Sequence, residues 1–287
     1  DFLKYLGFTT AAATLAASCE TQVRKAIPYA IKPENVTPGV PLMYASTYAD
    51  GGEAVPVLVR TREGRPIKIE GNTDSKLTEG ATTARIQGSV LNLYDAARIK
   101  FPMIDKAETT WSAIDKMMTD ALPTAGPVYL ITSSVNSITS AEAITQFTQK
   151  YPAAKHIQYD AVSYSGMLDA NLNSFGKRAV PAYRFDNAQV IVSLGCDFLG
   201  TWLSPEINAK QYAKGRKISA KNLAMSKHYQ LEGMMSLTGS SADERYTCKP
   251  SQYGLVASAL LNAINGGTVN LTETLNNAVK KMAADLN

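Results

Sequence analysis

The sequence predicts an α/β protein in which a small β-rich N-terminal domain is followed by a doubly wound, mostly parallel sheet domain. Three observations predict it. Val57, Val59, Ile67 and Ile69 alternate with Leu58, Arg60 and Lys68 on either side of Glu63-Gly64, the period-two pattern and turn chemistry of a β-hairpin with one buried face. From Ala107 onward, short continuous apolar runs alternate with stretches of helical periodicity, as they do in βαβ units. A chain of 287 residues, 45% of them hydrophobic, is long enough for one large core or two modest ones.

In chain order, residues 1–19 open with Asp1-Phe2-Leu3-Lys4 and an Ala/Thr-rich apolar run to Ala17. The run falls short of the ~20 residues a bilayer span needs and suits the apolar region of an export signal. Phe-Leu-Lys is similar to the continuation of a twin-arginine signal, whose paired arginines are expected just before residue 1. Leu15-Ala16-Ala17-Ser18-Cys19 is similar to a bacterial lipobox with its leucine displaced by one position, so Cys19 is a candidate lipidation site. The alternative is an ordinary cysteine in an uncleaved anchor. Residues 20–41 contain Pro28, Pro33, Pro38 and Pro41 and read as an extended linker.

Residues 42–106 form the β-rich domain. After the hairpin, Gly71-Asn72 breaks the pattern, and a short helix is predicted from Ala81 to Tyr94 with Ile86, Val90, Leu91 and Tyr94 on one side. Residues 107–287 form the α/β domain. A helix starting at Thr110-Trp111-Ser112 carries Ile114, Met117, Met118 and Leu122, followed by a strand from Pro127 to Thr132. Ser140 is a candidate cap for a helix through Ile144 and Phe147 to Lys150. Strands are predicted over Ala154 to Tyr159 and Gln189 to Gly195, and two helices divided by Gly266-Gly267 end the chain.

In such sheets ligands sit at the carboxyl ends of the strands, which singles out Ser133, Ser134, Asp160, Ser163, Cys196 and Asp197. Asp160 and Asp197 are a candidate acid/base pair, although an Asp closing a βα-loop is more often a cap or turn former. Cys196 reads as a small core residue at a strand end. Gly195-Cys196-Asp197-Phe198-Leu199-Gly200 lacks the third glycine of a dinucleotide fingerprint. Ser174-Phe175-Gly176-Lys177 matches S-x-x-K without the companion motifs of a penicillin-binding site. His156, at the start of a strand, and His228, placed on a helix, lack triad partners. A net charge of +4 without a basic, aromatic-interleaved patch argues against nucleic-acid binding. Two histidines and three cysteines without CxxC spacing argue against a metal site.

Gly64, Glu70-Gly71-Asn72, Asp74, Leu93-Tyr94, Arg98-Ile99 and Pro102-Met103 resemble the first domain of the molybdopterin oxidoreductases. In that family the segment before the hairpin carries C-x-x-C-x-x-x-C and the following turn a fourth cysteine, which together hold an iron–sulfur cluster. The corresponding stretches here, Tyr44 to Gly52 and Gly80 to Ala84, contain no cysteine. No cluster is therefore expected in this chain. Asp197-Phe198-Leu199-Gly200-Thr201-Trp202 and Ser236-Leu237-Thr238-Gly239 resemble one branch in particular, the large iron–sulfur subunit of bacterial alternative complex III, a quinol:electron-acceptor oxidoreductase.

That resemblance covers nearly the whole chain. It implies a cofactor-free, molybdopterin-oxidoreductase-like N-terminal portion, with no catalytic, cofactor or metal residues of its own. Iron–sulfur clusters are expected in a C-terminal remainder, and haems in partner subunits. It also implies a place on the periplasmic side of the bacterial inner membrane, in a complex with a multihaem cytochrome c, quinol-oxidising integral membrane subunits and small lipoproteins. The alternatives are an active molybdopterin-dependent oxidoreductase binding its cofactor through Ser133, Ser163 or Cys196, and a lipid-anchored periplasmic solute-binding protein.

Overall fold

A computed structural model describes residues 33–50, 53–124, 126–220, 223–268 and 270–287. The export-signal and lipidation readings, Cys19 included, lie outside the described residues. Within them the protein is a mixed α/β structure with several small sheets, some of them parallel.

Three antiparallel strands, β1 (Leu42–Asp50), β2 (Glu53–Arg62) and β3 (Arg65–Gly71), form the first sheet in the order β1-β2-β3. Val55, Val57 and Ile69 bury one face against Ile86 and Val90. Ile67, which the alternation also placed inward, is 47% exposed. The register explains this: Arg60 pairs with Lys68 but Thr61 pairs with Pro66, so Ile67 is the extra residue of a β-bulge and leaves the buried face. The stretch expected to match a cluster loop is instead mostly strand, since Tyr44 to Asp50 lie in β1 and pair along β2 down to Asp50↔Glu53.

The predicted helix after the hairpin is shorter than its pattern. Thr83 caps a five-residue helix, α1 (Ala84–Gly88), which tightens into a 3-10 turn at Ser89–Leu93. Only Ile86 and Val90 reach the core; Leu91 and Tyr94 are exposed. A two-strand hairpin, β4 (Met103–Ile104) with β5 (Ala107–Glu108), leads into α2 (Trp111–Ala121), capped by Thr110.

Parallel strands then occur in two separate sheets. One pairs β6 (Val128–Thr132) with β7 (Ala154–Gln158) through the crossover helix α3 (Ile138–Lys150). Its cap is Ser137 rather than Ser140: the extended Ser137 backbone turns its hydroxyl onto the Ser140 amide. The helix α4 (Ser165–Phe175) follows. The other sheet has the order β10-β9-β8, from β8 (Val190–Leu194), β9 (Lys227–Glu232) and β10 (Glu244–Thr247). Helix α5 (Pro205–Gly215) connects β8 to β9, and the short α6 (Leu237–Ser240) connects β9 to β10.

His228 thus lies on a strand, not a helix. His228 and Gln230 alternate with Tyr229 and Leu231, and all four are fully buried because β9 is the central strand, covered on both faces. The final helices, α7 (Tyr253–Ile264) and α8 (Glu273–Leu286), pack Val256, Val279 and Met282 against Tyr229 and Leu231 in the main core. An aromatic cluster of Phe185, Phe198 and Tyr212 joins Ile191 on the other side of the sheet.

Candidate functional site at the strand-end loops

The carboxyl end of β8 carries the Gly195 to Trp202 phrase and the end of β9 carries Ser236 to Ser240; the two loops interlock. Asp197 Oδ1 accepts from the Thr238 amide at 3.1 Å and from its hydroxyl at 2.8 Å, while Oδ2 accepts from Thr201. Thr238 Oγ1 in turn accepts from the Leu199 amide. Asp197 is therefore a tie between loops.

Glu232, buried at the end of β9, is held from the same side. It accepts from the Ser236 amide and hydroxyl, from Gln230, and from Arg245 Nε at 2.6 Å. Burial opposes its ionisation, but the Arg245 guanidinium and the Ser236 donors outweigh that and hold the carboxyl below its ordinary range. Ser236 also caps α6 by accepting from the Gly239 amide. A Cβ on Gly239 would lie 1.9 Å from Glu232 Oε1, so only glycine fits over this carboxylate.

At the ends of β6 and β7, Asp160 accepts from the Ser134 amide at 2.7 Å and hydroxyl at 2.6 Å, and Gln158 donates to the same hydroxyl. These donors lower the Asp160 pKa. Ser163 hydrogen-bonds Ser165, and the Ser133 carbonyl accepts from the Thr132 hydroxyl. Asp160 and Asp197 are not brought together: the cleft that Asp160 lines is not lined by Asp197.

Cys196 is half-buried beside Tyr183, Phe198 and Trp202 in an apolar hollow of about 430 Å³. Burial pushes its thiol up, which disfavours the thiolate that nucleophilic or ligand chemistry requires. Among the described residues no group of three or more His, Cys, Asp or Glu is placed to hold a metal ion.

The segment from Gly71 to Gly80 is closed by backbone packing. A Cβ on Gly71 would lie 2.0 Å from the Gly80 carbonyl oxygen, and Gly80 itself has φ +84°. The chain leaves β3, turns at Asn72, whose side chain accepts from the Asp74 amide, and returns to lie backbone against backbone. The Tyr94 hydroxyl donates to the Pro66 carbonyl and pins the following turn to the hairpin. Lys210 of α5 reaches Glu79 at the tip of the same loop.

His156 Nε2 lies 2.9 Å from the Thr132 hydroxyl. His228 sits among Phe198 and Tyr212, with Nδ1 3.1 Å from the Tyr212 hydroxyl and no hydrogen-bond partner for Nε2 among the described residues. Burial lowers its pKa to about 4. A folded-state pKa below the unfolded one favours the fold above the unfolded pKa of ~6.5, and this contribution is lost as pH falls toward the folded value. Wild-type stability is expected to drop by roughly 2 kcal/mol between about pH 7 and pH 5 from this residue. Glu206, raised by burial, works in the opposite sense. Urea unfolding of wild type and His228→Phe isolates the histidine: the stability of wild type minus that of the variant should rise by roughly 2 kcal/mol from pH 5 to pH 7.

The interlocked carboxylates are only partly legible in the sequence. Its strand-end position marks Asp197 in the sequence, whereas nothing in the sequence reading points to Glu232, Thr238 or Arg245; Ser236 three residues before Gly239 is the capping signal that marks the loop. Among the described residues no helix is long and apolar enough to cross a membrane. Compared with known proteins, the sequence matches no family model and no curated protein.

Proposed function

We propose that this chain is a cofactor-free structural portion of a periplasm-facing subunit in a membrane-bound respiratory quinol:electron-acceptor oxidoreductase of the alternative complex III type. In this reading its fold is the molybdopterin-oxidoreductase-like scaffold, tethered to the membrane surface through its N-terminus at Cys19. Electron transfer belongs to the other parts: clusters in a C-terminal remainder, haems in a multihaem cytochrome c, and quinol oxidation in the integral membrane subunits.

The observation that carries this reading is the surface of residues 107–184. Among the described residues of that stretch only Ala154 is buried, while Trp111, Ile131, Ile138, Tyr159, Val162 and Phe175 are well exposed, Ile138 by 89%. Apolar exposure on that scale is the property of a piece made to be covered within a larger assembly. A non-catalytic role is supported by the strand-end carboxylates Asp160, Asp197 and Glu232, each engaged by loop donors.

Affinity purification of the tagged chain from native membranes in mild detergent tests the proposal. Covalent haem and quinol-dependent reduction of an electron acceptor are expected in the eluate. A tagged chain recovered from membranes without either would contradict it. Mass spectrometry of the N-terminus, in the same preparation, is expected to show cleavage before Cys19 with lipid attached.

A further inference from the structure

A cleft of about 640 Å³ opens beyond the carboxyl ends of β6 and β7, where Ser134, Gln158 and Asp160 face the start of α5 and Glu53 of the N-terminal sheet. Its volume falls in the range of small-molecule sites, about 300–1,000 Å³. Leu77, Val162, Leu168, Val180 and Leu203 supply apolar wall.

Glu206, in the first turn of the 11-residue helix α5, lines this cleft. Pro205 at the helix start and an acidic residue beside it suit a helix N-terminus. An acidic side chain in a first turn ordinarily points into water, yet Glu206 is only 3% exposed, and its Oε2 is buried without a hydrogen-bond partner. Burying such an oxygen without a partner is costly, and no side chain among the described residues pairs with it. The charged groups that act on it are Glu53 and Arg85, and Arg85 is already engaged by Glu53 and Asp50.

Asp160 is the second carboxylate in the cleft without a cationic partner among the described residues, because its hydrogen bonds come from the neutral Ser134. Arg178 is the cation among the described residues lining the cleft, and it is paired with Asp169 at 2.9 Å. The lining thus offers two carboxyl groups without a cationic side-chain partner among the described residues, together with apolar wall, while Arg178 is already paired.

We propose that this cleft binds a linear polyamine, with Glu206 and Asp160 receiving its ammonium groups and the apolar wall covering its methylene spacers. The chemistry is charge pairing at carboxylates combined with burial of short hydrocarbon segments. The site is independent of whether the chain belongs to a respiratory complex, since it is built from residues of this chain alone.

Isothermal titration of the purified protein with spermidine tests the proposal, using wild type, Glu206→Gln, Asp160→Asn and, as a distant control, Asp120→Asn on the exposed face of α2. Saturable binding to wild type is expected, weakened by at least about tenfold in Glu206→Gln and in Asp160→Asn, the loss typical of one hydrogen bond to a charged group. Asp120→Asn should bind as wild type. Spermidine should also raise the thermal midpoint of wild type and fail to raise that of Asp160→Asn, a readout that stands if Glu206→Gln does not fold. Absence of saturable binding up to about 10 mM, or equal weakening by Asp120→Asn, would overturn the proposal, as would wild-type affinity in both cleft variants.

Discussion

Gly239→Ala is expected to destabilise the protein by about 4 kcal/mol. The added carbon would meet the Glu232 carboxylate, with Oε1 at 1.9 Å and Cδ at 2.6 Å. Glu232 has nowhere to retreat, because Ser236, Gln230 and Arg245 all bond it and it is only 3% exposed. Moving it breaks a buried, fully paired charge, and moving α6 instead pulls Thr238 off Asp197. Gly254→Ala is the control, since a Cβ there meets nothing within 4 Å. It lies in helix α7, where alanine is favoured by up to ~1 kcal/mol. Chemical denaturation of the two variants distinguishes them; similar stabilities would mean that the interlocked loops are not packed as described.

The second large effect is at the hairpin exit. Gly71→Ala is expected to cost about 3 kcal/mol, because the clash is between backbone and backbone and no side chain can rotate out of the way. The Gly80 carbonyl carbon and Cα would lie 2.3 and 2.8 Å from the new atom. The Gly71 to Gly80 loop would have to open, which also weakens the Lys210–Glu79 bridge at its tip. Gly88→Ala, with open space around it, should leave stability unchanged or slightly raised. Hydrogen exchange gives a local check: protection of the Glu79 and Ala81 amides, bonded to Ser75 and Thr78, should fall in Gly71→Ala and not in Gly88→Ala.

These two glycines also mark how much of the molecule the sequence could disclose. The Glu70-Gly71-Asn72 and Ser236-Leu237-Thr238-Gly239 phrases are legible as motifs, but motifs do not reveal what a glycine leaves room for; the contacts lie in Gly80 and Glu232, outside the phrases themselves. Strands with one buried face were readable from alternation, except at Ile67, where a bulge shifts the register. The buried central strand β9 is hard to read from sequence because His228 and Gln230 are polar residues in a fully covered position, between neighbouring strands on both sides. Asp160 and Asp197 were found by position at strand ends, and their hydrogen bonds account for both as loop ties. Glu206 escaped notice because an acidic residue at a helix start is ordinary in sequence; its burial comes from tertiary packing.

If the proposed reading holds, the folded chain carries neither an iron–sulfur cluster nor molybdenum. The stretches that would supply four thiolates contain no cysteine, and the chain has three in all. Elemental analysis of the purified chain for iron and molybdenum, with electron paramagnetic resonance on the reduced and oxidised samples, measures this directly. Less than about 0.1 equivalent of either metal and no cluster or Mo(V) signal are expected in a folded preparation, against the four iron atoms per chain of an intact cubane cluster. Near-stoichiometric molybdenum, or iron with a cluster signal, would contradict it.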